Sequence, residues 1–243
     1  MLLFEDRRDA AEQLAKRLEE DWLEKYVATT TTAAEEEEEE EEKQQQKYHN
    51  AIILAIPRGG VVIGDVIASK LNIKLDIIVS RKIGAPDNPE LAIGAVMPDG
   101  SYILNQEIID MLKIPQSYIA EQANIQKKEI ERRLMSFRGS KEYDNNFEGK
   151  IVILVDDGIA TGATILSAAQ WLKTKQNCCK KLIVAVPVAP PDIVDNINKV
   201  SDTLIVLYLP EIFGSVGRFY SHFEQVTDNE VRDIMKRHGY VPL

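Results

Sequence analysis

The fold is decided by residues 151–164, which read IVILVDDGIATGAT. Five apolar residues, four of them β-branched, are typical of a strand that is buried on both faces of a parallel sheet. Two adjacent carboxylates follow, Asp156 and Asp157, and then a loop of small residues with two threonines. A helical pattern begins at Thr164. The stretch therefore predicts the strand, polar loop and helix of an α/β protein.

The polar residues of this stretch suggest its chemistry. In open α/β sheets, ligands bind at the carboxyl ends of the strands. Asp156 and Asp157 can accept hydrogen bonds from hydroxyl groups there, and the loop can direct several N–H groups and the hydroxyls of Thr161 and Thr164 at one phosphate. Such a site suits a ribose 5-phosphate. The alternative is an ordinary turn and capped helix, but two adjacent carboxylates against a buried strand repel each other and need compensation.

The composition limits the possible size, binding partners and metal or disulfide chemistry of the protein. The 243 residues suffice for one domain with a full core. The net charge of −10 falls to about −2 without the eight glutamates of residues 35–42, so no basic face for nucleic acid is expected. We interpret residues 28–47 as a disordered acidic insertion at the surface. The adjacent Cys178 and Cys179 predict neither a disulfide framework nor a zinc site.

The chain shows no targeting signal. Met1 does not begin a signal-peptide pattern, and no apolar run is long enough to span a bilayer. We therefore expect a soluble, cytoplasmic protein.

Two further strand ends carry cations. A strand over 51–56 ends in Pro57-Arg58-Gly59-Gly60, before a helix over 61–71. Paired glycines let a backbone approach an anion, and a guanidinium matches phosphate oxygens. A strand over 75–80 ends in Arg81-Lys82, before a predicted loop over 83–90. The cations would form a pocket for a polyanion, whereas a simple turn and a solvated strand end are the alternatives.

The remaining elements complete an α/β pattern. A hairpin is predicted over 91–104, strands over 181–186 and 203–209, and helices over 5–26, 105–111, 116–137, 164–175, 193–200 and 228–237. The charged residues of the long helix, Arg133 among them, are expected to face solvent. The alternation predicts a parallel sheet with helices on both faces. An aromatic cluster follows the last strand (Phe213, Phe219, Tyr220 and Phe223); it either stacks on a flat ligand ring or packs against the first helix.

Taken together, these motifs resemble the type I phosphoribosyltransferases. Residues 151–164 match that family's binding motif for phosphoribosyl pyrophosphate. Residues 57–60 match in position the pyrophosphate loop, whose peptide geometry is often unusual, and Arg81-Lys82 with the following loop fall where the family has its flexible catalytic loop. The resemblance covers about residues 50–210. The whole chain is also similar to a bacterial subgroup that carries only the family name, through RKIGAP at 81–86 and PELAIG at 89–94.

The resemblance implies a fold and a set of roles. The fold would be a single domain over 1–243, with a Rossmann-like α/β core and a small hood from residues 1–27 and 211–243 over the acceptor. Asp156 and Asp157 would bind the ribose hydroxyls directly or through water on Mg²⁺. The remaining ligand contacts would come from two groups: for the 5-phosphate, Gly158, Ile159, Ala160, Thr161, Gly162 and Thr164; for pyrophosphate, Arg58, Gly59, Gly60, Arg81 and Lys82.

The implied function is an enzyme of nucleotide metabolism, a glycosyltransferase that moves the 5-phosphoribosyl group to an unidentified, nitrogenous acceptor and releases pyrophosphate. Asp156, Asp157, Lys82 and Glu90 would be its catalytic residues, with Glu90 taking a proton from the acceptor; an exposed or helix-capping role for Glu90 is the alternative. A homodimer is also expected. A non-catalytic sensor of nucleotides or phosphoribosyl pyrophosphate is the competing class. A dinucleotide-dependent oxidoreductase is disfavoured because no G-x-G-x-x-G follows a strand.

Overall fold

The computed structural model describes residues 2–26, 50–143, 147–174 and 179–243. The predicted acidic insertion and Cys178 lie outside these residues. The strands are β1 (Ala51–Ala55), β2 (Lys74–Ile77), β3 (Arg81–Ala85), β4 (Asn88–Val96), β5 (Tyr102–Leu104), β6 (Ile151–Val155), β7 (Lys181–Val188) and β8 (Thr203–Tyr208). The helices are α1 (Arg7–Tyr26), α2 (Gly59–Leu71), α3 (Gln106–Leu112), α4 (Gln116–Arg138), α5 (Ala163–Thr174), α6 (Val194–Asn198) and α7 (Asp228–Arg237).

The centre is a five-stranded sheet in the order β2-β1-β6-β7-β8, with every neighbouring pair parallel. Its side chains alternate between two cores. Leu54 and Leu154 point to the core that contains α5 and α6, whereas Ile53 and Ile153 point to the core that contains α1, α2, α4 and α7. Because both faces are covered, β1 and β6 are apolar throughout. The predicted α/β fold with helices on both faces is confirmed.

A second sheet of three antiparallel strands, β3-β4-β5, follows β2. The predicted hairpin over 91–104 is confirmed as β4 and β5. The predicted loop over 83–90 is wrong, because these residues belong to the β3–β4 hairpin. The strand register shifts on either side of Gly84, which accommodates the prolines. The backbone of Pro89 packs against Gly84, and a Cβ added at Gly84 would lie only 2.5 Å from the Pro89 carbonyl oxygen.

The two chain ends meet beside the main sheet. The Leu3 and Phe4 N–H groups donate to the Phe219 carbonyl at 3.0 Å, and the Ser221 N–H donates to the Phe4 carbonyl at 2.9 Å. Asp6 caps α1, since its carboxylate accepts the Arg8 N–H at 2.7 Å. Within the described parts of the chain, no helix is long and apolar enough to cross a membrane.

A buried ion pair links Asp76 of β2 to Arg138 of α4. The Arg138 guanidinium donates from Nε to Asp76 Oδ1 at 2.7 Å and from Nη2 to Asp76 Oδ2 at 2.9 Å. Both side chains are almost completely buried, at 2% and 0% exposure. Arg138 Nη1 also donates to the Glu142 carbonyl at 2.8 Å. This two-pronged geometry compensates a charge pair that would otherwise be costly to remove from water.

Candidate functional site

The carboxyl ends of the strands open into a cavity of about 940 Å³. Five of the residues predicted from the sequence line it, and they come from two different strand ends: Arg81, Lys82, Asp156, Thr161 and Thr164. Its other walls are the β3–β5 sheet, the start of α3, one face of α5 and Arg133 of α4. The predicted solvent-facing position of Arg133 is therefore wrong. The helical charge pattern could not show which turn of α4 meets the antiparallel sheet.

Backbone hydrogen bonds hold the loop between β6 and α5. The Ile159 N–H donates to the Val188 carbonyl at 2.9 Å, which ties the loop to β7. The Leu166 N–H donates to the Gly162 carbonyl at 2.8 Å. The N–H groups of residues 163–165 therefore lack intrahelical acceptors and form the positive end of α5. Gly162 has a φ of +75° and packs against Ile193, so a side chain there is disfavoured twice.

Residues 158–162 differ in their exposure to solvent. Gly158 and Ile159 are buried, whereas Ala160 and Thr161 are exposed. A Cβ at Gly158 would meet Val216 at 2.6 Å, so the segment after β8 packs directly on this loop.

The two aspartates meet different neighbours. Asp156 lines the cavity, and its Oδ1 accepts the Asp157 N–H at 2.9 Å. Asp157 Oδ2 accepts from Arg7 Nε at 2.8 Å. Burial and the neighbouring Asp157 charge raise the pKa of Asp156 well above its usual range. Burial raises the pKa of Asp157 as well, and the Arg7 guanidinium opposes that rise.

The glycines of residues 57–60 pack tightly on these carboxylates. Gly59 and Gly60 form the first turn of α2, which begins earlier than predicted. A Cβ at Gly60 would lie 3.1 Å from Asp156 Oδ1, and one at Gly59 would overlap Asp157 Oδ2. The glycines thus allow the two strand ends to approach each other. The Pro57–Arg58 peptide bond is cis.

Three of the predicted site residues take part in two ion pairs. Arg58 Nη1 lies 3.2 Å from Asp228 Oδ1 at the start of α7, and Arg58 is not among the residues that line the cavity. Lys82 Nζ lies 3.2 Å from Glu90 Oε2, across the β3–β4 hairpin. The Glu90 side chain is 93% exposed. The structure therefore brings Lys82 to the cavity and leaves Glu90 at its outside.

Arg7 is the site residue that the sequence did not reveal. Its guanidinium stacks on the Phe223 ring, 3.8 Å from the centroid, and donates to the Glu224 carbonyl at 2.8 Å. Tyr220 is also part of this arrangement, because its hydroxyl donates to the Asp157 carbonyl at 2.6 Å. Burial raises the pKa of Tyr220, so it remains a donor. No local signal distinguishes Arg7 from any other polar residue at the start of a helix.

The aromatic cluster packs within the protein. The Tyr220 ring lies 5.2 Å from that of Phe4 and 4.9 Å from that of Phe223, and the Phe213 ring lies 5.4 Å from that of Phe219. The cluster therefore packs against the N-terminal segment, through Phe4 and through Arg7 of the first helix, and its stacking on a ligand ring stays a prediction.

Comparison with known proteins supplies the family. A family model described as "Phosphoribosyl transferase domain" matches residues 28–208. The chain belongs to the phosphoribosyl transferase family. Two Mycobacterium tuberculosis proteins, from strains CDC 1551 / Oshkosh and H37Rv, are each 33% identical over 237 residues and carry the name "Putative phosphoribosyl transferase". The alignment covers 98% of this chain and 47% of theirs, so the chain spans about half the length of these curated relatives.

A solved structure supports the fold assignment of this phosphoribosyl transferase domain. The crystal structure of TT1426 from Thermus thermophilus superposes with a TM-score of 0.72 at 31% identity. The match covers 97% of this chain and 99% of that one. The similarity therefore extends into both terminal segments of the chain.

Proposed function

We propose that this domain transfers the 5-phosphoribosyl group of phosphoribosyl pyrophosphate to a nitrogenous acceptor and releases pyrophosphate. The observation that carries the proposal is the common cavity of Asp156, Thr161, Thr164, Arg81 and Lys82. A carboxylate, a helix N-terminus with hydroxyls, and a pair of cations match a diol, a monophosphate and a pyrophosphate in one ligand.

The ligand groups can be assigned to elements. The 5-phosphate would lie on the backbone of residues 158–162 with the hydroxyls of Thr161 and Thr164. The ribose hydroxyls would lie on Asp156 and Asp157. Pyrophosphate would lie between the glycine turn at 59–60 and the cations, which are Arg81, Lys82 and Arg58.

Two of those cations must first leave their acidic partners. Both pairs are partly exposed to solvent. The side chains of Arg58 and Asp228 are 32% and 41% exposed, and those of Lys82 and Glu90 are 40% and 93% exposed. Exposed pairs contribute about 0–1 kcal/mol. A pyrophosphate with several negative charges can therefore displace both carboxylates at low cost.

The reaction exchanges two bonds at the anomeric carbon. The bond to the pyrophosphate oxygen breaks with its electron pair, and a lone pair of the acceptor nitrogen forms the new bond. The acceptor then loses a proton, for which Glu90 is our candidate base once it has left Lys82 and turned from the outside of the cavity toward the ligand. The transition state resembles an oxocarbenium ion, so fixed cations around the leaving group and exclusion of water favour it.

The chemistry of the site fits Mg²⁺. Asp156 faces the cavity, and no cationic side chain of the described residues forms an ion pair with it, so a carboxylate is left for a metal. Magnesium commonly takes one or two carboxylates and completes its shell with water and phosphate oxygens. The described residues contain no cluster of three or more metal-binding side chains, which is consistent with so sparse a site. Asp156 and Asp157 would hold the ion through water. When bound, it would neutralise charge on pyrophosphate.

The test separates binding from transfer. Titration calorimetry with phosphoribosyl pyrophosphate and Mg²⁺ should show binding to the wild-type chain and its loss in Asp156→Asn with Asp157→Asn. A control that changes two exposed aspartates, Asp195→Asn with Asp233→Asn, should bind normally. Unchanged binding in the first variant would refute the site assignment.

Transfer is tested by screening nucleobases and small amines for release of pyrophosphate. Release with any acceptor supports the enzyme, whereas tight binding without release across the panel favours the sensor. The homodimer and the cytoplasmic location stay predictions, the first to be measured by light scattering after size-exclusion chromatography.

A further inference from the structure

The two aspartates continue the alternation of β6. Val152 and Leu154 point to the core of α5, and Ile153 and Val155 point to the core of α1. Asp156 has the same parity as the first pair and lies in the cavity beside α5. Asp157 has the parity of the second pair and meets Arg7, the first residue of α1. The pair of carboxylates is therefore divided between the two sides of the sheet.

Arg7 is held in place by more than its partner. Its side chain is only 12% exposed, and that of Asp157 is 16% exposed. One face of the guanidinium lies on the Phe223 ring, and Nη1 donates to the Glu224 carbonyl. An arginine fixed by stacking and by a backbone acceptor has already lost the freedom that an exposed ion pair must surrender. Its hydrogen bond to Asp157 is therefore stronger than that of a surface pair.

The same carboxylate is confined from two other directions. Gly59 packs against Asp157 Oδ2, and the Tyr220 hydroxyl fixes the Asp157 carbonyl at 2.6 Å. With Arg7 bound to Oδ2, the Asp157 carboxylate has one defined orientation. Asp157 does not itself line the cavity, but its carboxyl interacts with that of Asp156, which does.

We propose that Arg7 is a positioning residue for ligand binding: it orients Asp157 beside Asp156, so that the carboxylate pair meets the ribose hydroxyls directly or through water on a metal ion. This inference rests on the proposed function. It gives the N-terminal helix a defined part in recognition of the phosphoribosyl group, through a residue that precedes the matched family region at 28–208.

The neighbouring arginine offers a matched control. Arg8 lies on the same turn of α1, but its side chain is 59% exposed, and its Nη1 lies 3.9 Å from Asp65 Oδ2. Arg8→Met thus removes an equal charge from the same helix without touching Asp157.

The experiment is a double-mutant cycle on the full chain, with calorimetric binding of phosphoribosyl pyrophosphate and Mg²⁺ as the measurement. Arg7→Met should weaken binding about tenfold to a hundredfold, the effect of a hydrogen bond to a charged group, and Arg8→Met should leave it within twofold. Arg7→Lys should recover part of the loss, since it keeps the charge but not the fork.

The decisive comparison is made in the Asp157→Asn background. There Arg7→Met should cost little further affinity, because the group that it orients is already altered. An equal loss in both backgrounds, or normal binding by Arg7→Met, would overturn the inference while leaving the proposed function intact. Should Arg7→Met not fold, the same cycle with Arg7→Lys decides. A wild-type chain without affinity for phosphoribosyl pyrophosphate would overturn both proposals together.

Discussion

Gly59→Ala is the smallest change that should damage ligand binding through packing alone. A methyl group at this position would overlap Asp157 Oδ2 and lie 3.0 Å from Arg7 Nε. Neither neighbour can yield easily, since both are mostly buried and bonded to each other at 2.8 Å. The carboxylate must therefore move away from the first turn of α2, and its contact with the ligand should be lost.

Two opposing effects set the change in stability. Overpacking of a close contact costs about 1–3 kcal/mol. Alanine in place of a helical glycine returns up to about 1 kcal/mol, because the unfolded chain loses freedom. The free energy of unfolding should thus fall by about 0–3 kcal/mol, and the Tm by at most about 12 °C. The ligand loses a charge-assisted hydrogen bond, which corresponds to about tenfold to a hundredfold in Kd.

The assay pairs thermal unfolding with calorimetric titration of phosphoribosyl pyrophosphate. Gly149→Ala is the control: its Cβ would meet nothing within 4 Å, but its φ of +72° disfavours a side chain. It should lose about 1–2 kcal/mol of stability without any change in affinity. If Gly59→Ala bound phosphoribosyl pyrophosphate as tightly as the wild type, the reasoning that Asp157 is held against the glycine turn for ligand binding would be refuted.

Three further predictions concern other contacts. Asp228→Asn should release Arg58 for pyrophosphate and tighten binding of phosphoribosyl pyrophosphate by up to about fivefold, the value of a partly exposed ion pair; weaker binding by calorimetry would contradict this. Arg138→Met leaves a buried carboxylate without its partner and should cost about 3–5 kcal/mol in urea unfolding, whereas a loss below about 1 kcal/mol would show that the pair is dispensable. Hydrogen bonds from Arg132 lower the pKa of Glu129 to about 2, so this carboxylate stabilises the fold above its unfolded pKa near 4.5 and ceases to do so as the pH falls toward 2. The Tm difference between wild type and Glu129→Gln should shrink across that range, and a constant difference would count against the assignment.

The main sheet could be predicted because its signals are local. An apolar run without alternation indicates a strand covered on both faces, and β6 has that form. Asp156 and the threonine loop follow it directly, so their position at the carboxyl edge of the sheet could be inferred from the order of the residues. The hairpin over β3 and β4 could not, since its prolines predict a loop and only the irregularity around Gly84 allows pairing.

The neighbours of the site were beyond prediction for a different reason. The choice of Arg7 as the partner of Asp157 depends on how α1 packs against the sheet, not on residues near either one. The same holds for Arg58, whose sequence context predicts a phosphate ligand but carries no information about Asp228. The sequence predicts that Arg133 faces solvent, because several neighbouring residues of its helix are charged and none of them stands out. Only tertiary packing determines which turn of the helix lines the cavity.

The contacts around the candidate site join residues that are far apart in the sequence, so most of the chain must fold before the protein can bind a ligand there. Arg7 and Asp157 are 150 residues apart, Arg58 and Asp228 are 170 apart, and Tyr220 and Asp157 are 63 apart. Contacts of such separation form only after most of the chain is ordered. A fragment limited to residues 50–210 would retain the two aspartates and the loop between β6 and α5 but lose Arg7, Asp228 and Tyr220. The candidate ligand-binding residues would therefore be present, but the contacts that fix their orientation would be missing.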